Sequence, residues 1–351
     1  MTNYIKRCSL CANTFESADD ILNKGNRIRI CTYGNLWFNC SCDSTLFIPK
    51  GKFEWFSADK LMSGEAREIY KKYDLLEKIP KIQHSIMSLQ EAIEDPDIDY
   101  VKIKEELELS PSIAILTLNM ASNLNPQGEE VIDLKHAISL LGRNTLSQLV
   151  LSASLVNIQL ESKLYQIQDF WLEALASGSI SRIIYKKFGF NYQDSSLDKV
   201  YISGCFAQVG KLVGAICFPS KIDEIYNIIS NPSTMTTWEK ATDITNAPKM
   251  SHLGEIATVI WGLPNFVKNI VIYFQSIMED VSPPKTLSML ESIQFGNLIF
   301  HWLNSSPHLI DVNKLKYFQN KLEINDKSLE SIVESVSHCK EKVDSVVDEI
   351  V

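Results

Sequence analysis

Two close thiol pairs constrain the N-terminal part of this chain more than any other feature. Cys8-Ser-Leu-Cys11 and Cys40-Ser-Cys42 stand on either side of a β-type stretch, and five of the eight cysteines fall within the first 57 residues. Two runs, Arg27–Thr32 and Leu36–Cys40, are joined by Tyr33-Gly34-Asn35, whose Gly and Asn tolerate positive φ and so predict a hairpin turn. A third run, Ser44–Ile48, ends at Pro49-Lys50-Gly51. A block this small gains little from an apolar core, so a bound metal would supply much of its stability. Four thiolates on two tight turns fit a tetrahedral structural zinc, and the hairpin fits a zinc-ribbon-like domain. Cys8, Cys11, Cys40 and Cys42 are the expected ligands, with Cys31 able to replace one of them because the second pair is Cys-x-Cys rather than Cys-x-x-Cys. Four thiolates leave no open position for a catalytic water. The competing reading is a set of buried free thiols.

Clustered thiols point to metal rather than disulfide if the protein is cytoplasmic, and the sequence carries that expectation. The N-terminus lacks the apolar region of a secretory signal, and no transmembrane helix is expected. The apolar run around Ile270–Phe274 is interrupted by Lys268 and Gln275. Charge limits the partners. Lys plus Arg number 34 against 43 Asp plus Glu, a net −9, the reverse of a duplex nucleic-acid binder. The first 57 residues are slightly basic, with seven Lys and Arg against five Asp and Glu, which leaves only thin support for a ribbon that touches nucleic acid.

From Ala58 onward apolar residues recur at three- and four-residue spacing, so the chain reads as mainly α. Ser110-Pro111 is a cap followed by a first-turn proline, and Pro80 and Pro264 suit first turns as well. Asp95-Pro96, Asn125-Pro126-Gln127-Gly128 and Pro283-Pro284 read as loops. The expected organisation is a ribbon-like domain over 1–57, a multi-helix domain over 58–280 and a C-terminal helical extension over 281–351. In that extension Leu329, Ile332, Val336, Cys339, Val343, Val346 and Ile350 follow alternating three- and four-residue steps. Such a seam packs on its own domain or forms a homodimer through the C-terminal helix.

The segment from Ile79-Pro80 onward resembles the HDOD family, bacterial signalling proteins related to HD-domain phosphohydrolases. The resemblance is carried in order by Asp95-Pro96-Asp97, Leu109-Ser110-Pro111-Ser112, the Asn119-Met-Ala-Ser-Asn123 helix end, Leu134–Gly142, Phe170-Trp171, Gly204 with Gly210-Lys211-Leu212, and Trp261-Gly262-Leu263-Pro264. It implies an HD-like helical bundle over about 80–275. The wider HD superfamily binds divalent metal through a His-Asp dipeptide with further His and Asp, and activates water on that metal. None of the six histidines here (84, 136, 252, 301, 308, 338) is followed by Asp. Ala207-Gln208 stands at the dyad position, Leu172-Glu173-Ala174 where an upstream histidine would fall, and Tyr273-Phe274 where paired histidines would. The expectation is therefore no enzyme and no catalytic residues, but a non-enzymatic signal-transduction output module that binds a signalling protein or a small ligand. The alternative is a diverged metal-dependent phosphohydrolase acting on a nucleotide or phosphodiester. His136 is expected on a solvated helix face, His252 as a polar or capping residue near a helix start, and Glu173 either on a solvated helix face or facing a relic pocket. Gly204–Lys211 has the glycines and lysine of a phosphate loop with the wrong spacing, in what reads as a helix interior.

Overall fold

The computed structural model describes residues 6–8, 11–15, 20–21, 24, 26–30, 36–42, 45–48, 58–80, 89, 92–93, 95, 98–108, 111–125, 131–153, 158–190, 197–231, 236–261, 263, 265–275, 282–304 and 310–350. The expected β block is present. Strands β1 (Lys6–Arg7) and β2 (Thr14–Phe15) pair antiparallel. Strands β3 (Asn26–Ile30), β4 (Leu36–Asn39) and β5 (Thr45–Ile48) form an antiparallel meander, with Ile30 opposite Leu36 and Asn39 opposite Thr45. Its apolar support is slight. Phe15 and Phe38 are fully buried and meet edge to face at 4.8 Å, with Ile21 and Leu46 also buried.

A 3-10 turn at Ala58–Leu61 leads into the helices. In chain order they are α1 (Gly64–Lys72), α2 (Leu75–Lys78), α3 (Tyr100–Glu108), α4 (Pro111–Leu124), α5 (Leu134–Ala153), α6 (Ile167–Phe188), α7 (Leu197–Phe206), α8 (Val209–Cys217), α9 (Pro219–Ile229), α10 (Trp238–Thr245), α11 (Met250–Ile260), α12 (Asn265–Tyr273), α13 (Met289–Leu303), α14 (Val312–Leu322) and α15 (Asp326–Ile350). Helix α4 begins at Pro111, where a missing N–H costs nothing. Helix α5 bends at Gly142, whose φ of 69° lies in the left-handed region that an L side chain resists.

One apolar core runs from Met62 to Val347, and α6 is its axis. Helix α6 buries residues on every face, including Trp171, Ala174, Ser177, Ile180 and Ile184. A helix enclosed on all sides has no solvent stripe to reveal its orientation. Helices α7 and α13 flank it, and Gly204 seats α7 so closely that a Cβ there would stand 2.7 Å from the Gly178 Cα of α6. Gly210 of α8 likewise lies against the Met250 carbonyl of α11. The landmark Trp261 donates its indole N–H to the Pro80 carbonyl at 3.1 Å, which joins two distant parts of the recognised pattern. Arg143 closes the loop before α3 by donating to the Ile93 and Asp95 carbonyls at 2.9 and 2.8 Å. The residues after 280 enter the same core, since α13 packs along α6 and α7. Strand β3 lies against α11, so the β block rests on the bundle.

Two expectations need comment. The stretch Lys199–Cys217 is long and apolar enough, by length and composition alone, to cross a membrane, which the sequence reading did not register. Most of it is buried, and it is two helices, α7 and α8, separated by a turn at Ala207-Gln208. The C-terminal seam forms one helix, Asp326–Ile350. Leu329, Ile332, Val336 and Val343 are buried, as is Val347, against α6, α13 and α4 of the same chain. The side chains of Cys339, Val346 and Ile350 lie outside the described residues. The described seam residues are thus buried within their own domain. Val336 is fully buried, so Val336→Asp should lower stability by roughly 2–5 kcal/mol. Chemical denaturation checks this, and an unchanged midpoint would mean that the helix does not dock.

Candidate functional site

The structure brings Cys8, Cys11, Cys40 and Cys42 together, with all four sulfurs within 4.8 Å of one another. The Sγ atoms of Cys11 and Cys40 are 3.4 Å apart, and those of Cys8 and Cys42 3.6 Å. A tetrahedron of thiolates with metal–sulfur bonds near 2.3 Å has sulfur–sulfur edges of about 3.8 Å, so the donor set fits a metal that prefers thiolate. Two turns make this possible. Ala12 takes a left-handed φ of 61°, and the Cys8 N–H donates to the Asn13 carbonyl at 2.8 Å, which folds the first pair back on itself. The second pair sits in the turn between β4 and β5. Burial opposes ionisation of Cys40, but hydrogen bonds from the Cys42 backbone, Cys11, Asn13 and Ser41 outweigh it and lower its pKa. At Cys11 the Asn13 backbone hydrogen bond favours the thiolate, yet the neighbouring thiols Cys40, Cys42 and Cys8 push it up to about 12. Crowded thiols cannot all ionise without a cation among them. Cys31 lies outside the described residues.

The second site is built around Glu173, and here the expectation of a solvated helix face is overturned. Glu173 is 7% exposed. Because α6 is enclosed on every side, its polar residues are drawn into the interior with the apolar ones. The Lys211 ammonium of α8 reaches both carboxylate oxygens at 3.0 Å. His301 Nε2 lies 3.1 Å from Oε1, Asn297 Nδ2 donates to the same oxygen at 3.2 Å, and Gln208 Nε2 donates to it as well. Lys211, His301 and Asn297 are themselves buried. Desolvation alone would raise the Glu173 pKa, but the Lys211 charge, followed by His301, holds it well below the ordinary glutamate value.

The chain places these residues by two routes. Gln208 is the cap of α8, and Lys211 lies in its first turn. Asn297 and His301 are four residues apart on one face of α13, beyond the segment that carried the resemblance. Sequence reading passed over both, because nothing in their local spacing distinguishes them from an ordinary helix. The remaining histidine positions behave differently. His136 is exposed, as expected. His252, in the first turn of α11, meets the Glu65 carboxylate at 2.8 Å. His84 and His308 lie outside the described residues. Gly204–Lys211 is not the helix interior that the sequence suggests: it spans the end of α7, the turn at Ala207-Gln208 and the first turn of α8, where the Lys211 ammonium is paired with Glu173. Two further buried carboxylates act as internal fasteners. Glu255 accepts from the Ser63 backbone and hydroxyl at 2.8 and 2.7 Å, and Glu291 accepts from Lys321 at 2.7 Å and Tyr317 at 2.8 Å.

Beside the Glu173 cluster opens a cavity of about 550 Å³, with Gln208, Lys211, Trp238, Gln294, Asn297 and His301 among the residues that line it. HDOD domains match residues 79–277. The chain belongs to the HDOD domain family. An HDOD domain protein from Geobacter sulfurreducens superposes with a TM-score of 0.55 at 14% identity, over 84% of this chain and 98% of that one. A Shewanella amazonensis SB2B protein, whose name proposes a metal-dependent phosphohydrolase, gives 0.54 at 15% identity over 83% of this chain and all of that one. A Marinobacter aquaeolei VT8 protein, whose name proposes a signal-transduction role, gives 0.53 at 12% identity over 90% and 76% of the two chains. At such identities the likeness establishes the fold alone. An uncharacterized protein of Treponema pallidum (strain Nichols) is 19% identical over 236 residues, and the match spans 66% of this HDOD protein and 44% of that relative.

The buried Glu173–Lys211 pair gives a pH-dependent expectation. A carboxylate whose pKa is depressed by folding stabilises the fold above its ordinary value of 4.5, and that contribution is lost as pH falls toward the folded pKa. Glu173→Gln strands the Lys211 ammonium and should cost about 3–5 kcal/mol near pH 7. The gap from wild type should shrink below pH 4.5, where the unfolded wild-type glutamate takes up a proton that the folded one still refuses. Urea midpoints at pH 7 and in the acid range check this, and a gap independent of pH would refute it.

Proposed function

We propose that this HDOD protein is a non-enzymatic signal-transduction output module, whose helical domain binds a signalling protein or a small ligand. One observation carries the reading: the buried Glu173 carboxylate beside Gln208 is already neutralised by an internal cation. Hydrolysis by the HD mechanism needs a divalent metal, held by histidines and carboxylates, to generate hydroxide. Here Ala207 offers no ligand, the Gln208 amide is a poor one, and Glu173 accepts from Lys211, Gln208 and Asn297. A metal would have to compete with an ammonium 3.0 Å from the carboxylate. Among the described residues, the four cysteines form the one group of three or more potential ligands close enough for a metal. We assign zinc to them in a structural role, with the β block as a second contact surface. The same reading puts the protein in the reducing cytoplasm, where the thiols stay available to metal.

The alternative, a diverged metal-dependent phosphohydrolase, draws on His301, which lines the cavity, standing 3.1 Å from Glu173. Assays of the full chain against nucleotides and a phosphodiester, with manganese, magnesium, iron or nickel supplied, decide between the two. The expected outcome is baseline product release. Metal-dependent turnover that disappears in Glu173→Gln would establish the alternative.

Elemental analysis tests the metal assignment. The four-thiolate site should hold about one zinc per chain. Cys8→Ser should lower that stoichiometry and loosen the β block, while the helical signal in circular dichroism persists, because the bundle has its own core. Unchanged zinc content in Cys8→Ser would sink the ligand assignment.

A further inference from the structure

The four gathered thiols are not equally accessible. Cys11 is exposed, whereas Cys8 and Cys40 are buried and Cys42 is intermediate. Cys11 Sγ lies 3.4 Å from Cys40 Sγ, and the sulfurs of Cys8 and Cys42 are 3.6 Å apart. One sulfur is therefore open to a solute, and a second stands close behind it. A disulfide holds its sulfurs about 2.04 Å apart, so Cys11 and Cys40 can bond after a small side-chain movement.

A metal among these sulfurs sets their reactivity. A coordinated cysteine is held as the thiolate, and the thiolate is the nucleophile. Two thiols of the bundle offer a contrast. Burial pushes the Cys205 thiol up to about 12 and the Cys217 thiol up to about 11, so both stay protonated near neutral pH. The metal in turn depends on the sulfurs, because a structural zinc needs all four ligands.

We propose that the four-thiolate site is a redox switch, with Cys11 as the point of attack on a hydroperoxide and Cys40 as its resolving partner, whose disulfide releases the zinc. The proposal rests on the assignment of zinc to these cysteines and adds its regulation. The Cys11 thiolate attacks the peroxide. An S–O bond forms, the O–O bond breaks and hydroxide leaves, which gives a sulfenic acid. The Cys40 thiolate then attacks that sulfur, the S–S bond forms and a second hydroxide leaves. The two sulfurs lose two electrons in all, and one hydrogen peroxide becomes two hydroxides. Cys8 and Cys42 take up protons as the zinc departs.

This pairing has a structural logic. It joins the two turns that the metal had joined, so the β block keeps a cross-link, and it leaves Cys8 and Cys42 as a second close pair. A Cys8–Cys11 bond would instead leave Cys40 and Cys42 to each other across a single residue. Strand β3 of the same block lies against α11, which gives the change a route to the bundle. In a reducing compartment such a disulfide is transient, and thiol exchange resets it.

The full chain, reconstituted with zinc in the absence of air, would be treated with graded hydrogen peroxide. A chromogenic chelator follows released zinc, and peptide mapping of the alkylated, unreduced protein identifies each disulfide. About one zinc should appear for each Cys11–Cys40 bond, with Cys205 and Cys217 recovered as free thiols. Dithiothreitol with added zinc should restore the metal content. Zinc that stays bound in excess peroxide overturns the switch and leaves the zinc assignment standing. So does zinc that leaves with a different disulfide forming first, that leaves only after Cys205 or Cys217 is oxidised, or that does not return on reduction. A chain that takes up no zinc overturns the assignment and the switch with it.

Discussion

A full negative charge at the axis of a helical bundle sets the terms for everything around it. Glu173 sits on a helix enclosed on all sides, where an isolated carboxylate would be too costly to keep ionised. The bundle resolves this with Lys211, whose ammonium contacts both oxygens, and with donors from Gln208, Asn297 and His301. The pair fixes the relation of α6 to α8, and the amide and imidazole add α13. A network of this kind contributes less net stability than its contacts suggest, because desolvation offsets the attraction. Its larger effect is on specificity, since a bundle assembled with any of these helices rotated would leave a charge buried alone.

The same network joins two segments that the sequence presents separately. HDOD domains match residues 79–277, yet Asn297 and His301 come from α13, which lies after that span and packs along the central helix. Glu291, near the start of α13, is tied by Ser282, Tyr317 and Lys321, so the return of the chain into the core is itself fastened by a buried ion pair. At the other end Glu255 receives the backbone and hydroxyl of Ser63 and holds the entry to α1 against α11. Three buried carboxylates thus pin three places where chain topology must be settled.

The β block follows a different logic. Its strands are short, and among the described residues Phe15, Ile21, Phe38 and Leu46 are its buried apolar side chains. A block this small gains little from an apolar core alone against the conformational entropy of ordering it. The four thiols gathered within 4.8 Å provide the missing cross-link when a metal joins them. The helical domain needs no such support, because its core is continuous from Met62 to Val347.

Much of this was legible in the sequence, because the signals concerned are local. Cysteine spacing named the four thiols that meet, the Gly34-Asn35 turn announced the hairpin, and alternating three- and four-residue steps marked the C-terminal helix. The ordered landmarks from Ile79 to Pro264 carried the family. Local signals also misled. Glu173 reads as a surface residue because charge on a helix is usually solvated, and Lys199–Cys217 has the apolar length of a membrane span because α7 and α8 both lie inside the bundle. Only tertiary structure could bring Asn297 and His301 to Glu173, more than a hundred residues away, or show Trp238 and Gln294 at one cavity. The sequence by itself determined which segments are helical, which thiols pair and which family pattern is followed, since these depend on neighbours along the chain. Packing decided where charge is buried, what neutralises it and which cavity remains, since these depend on neighbours in space.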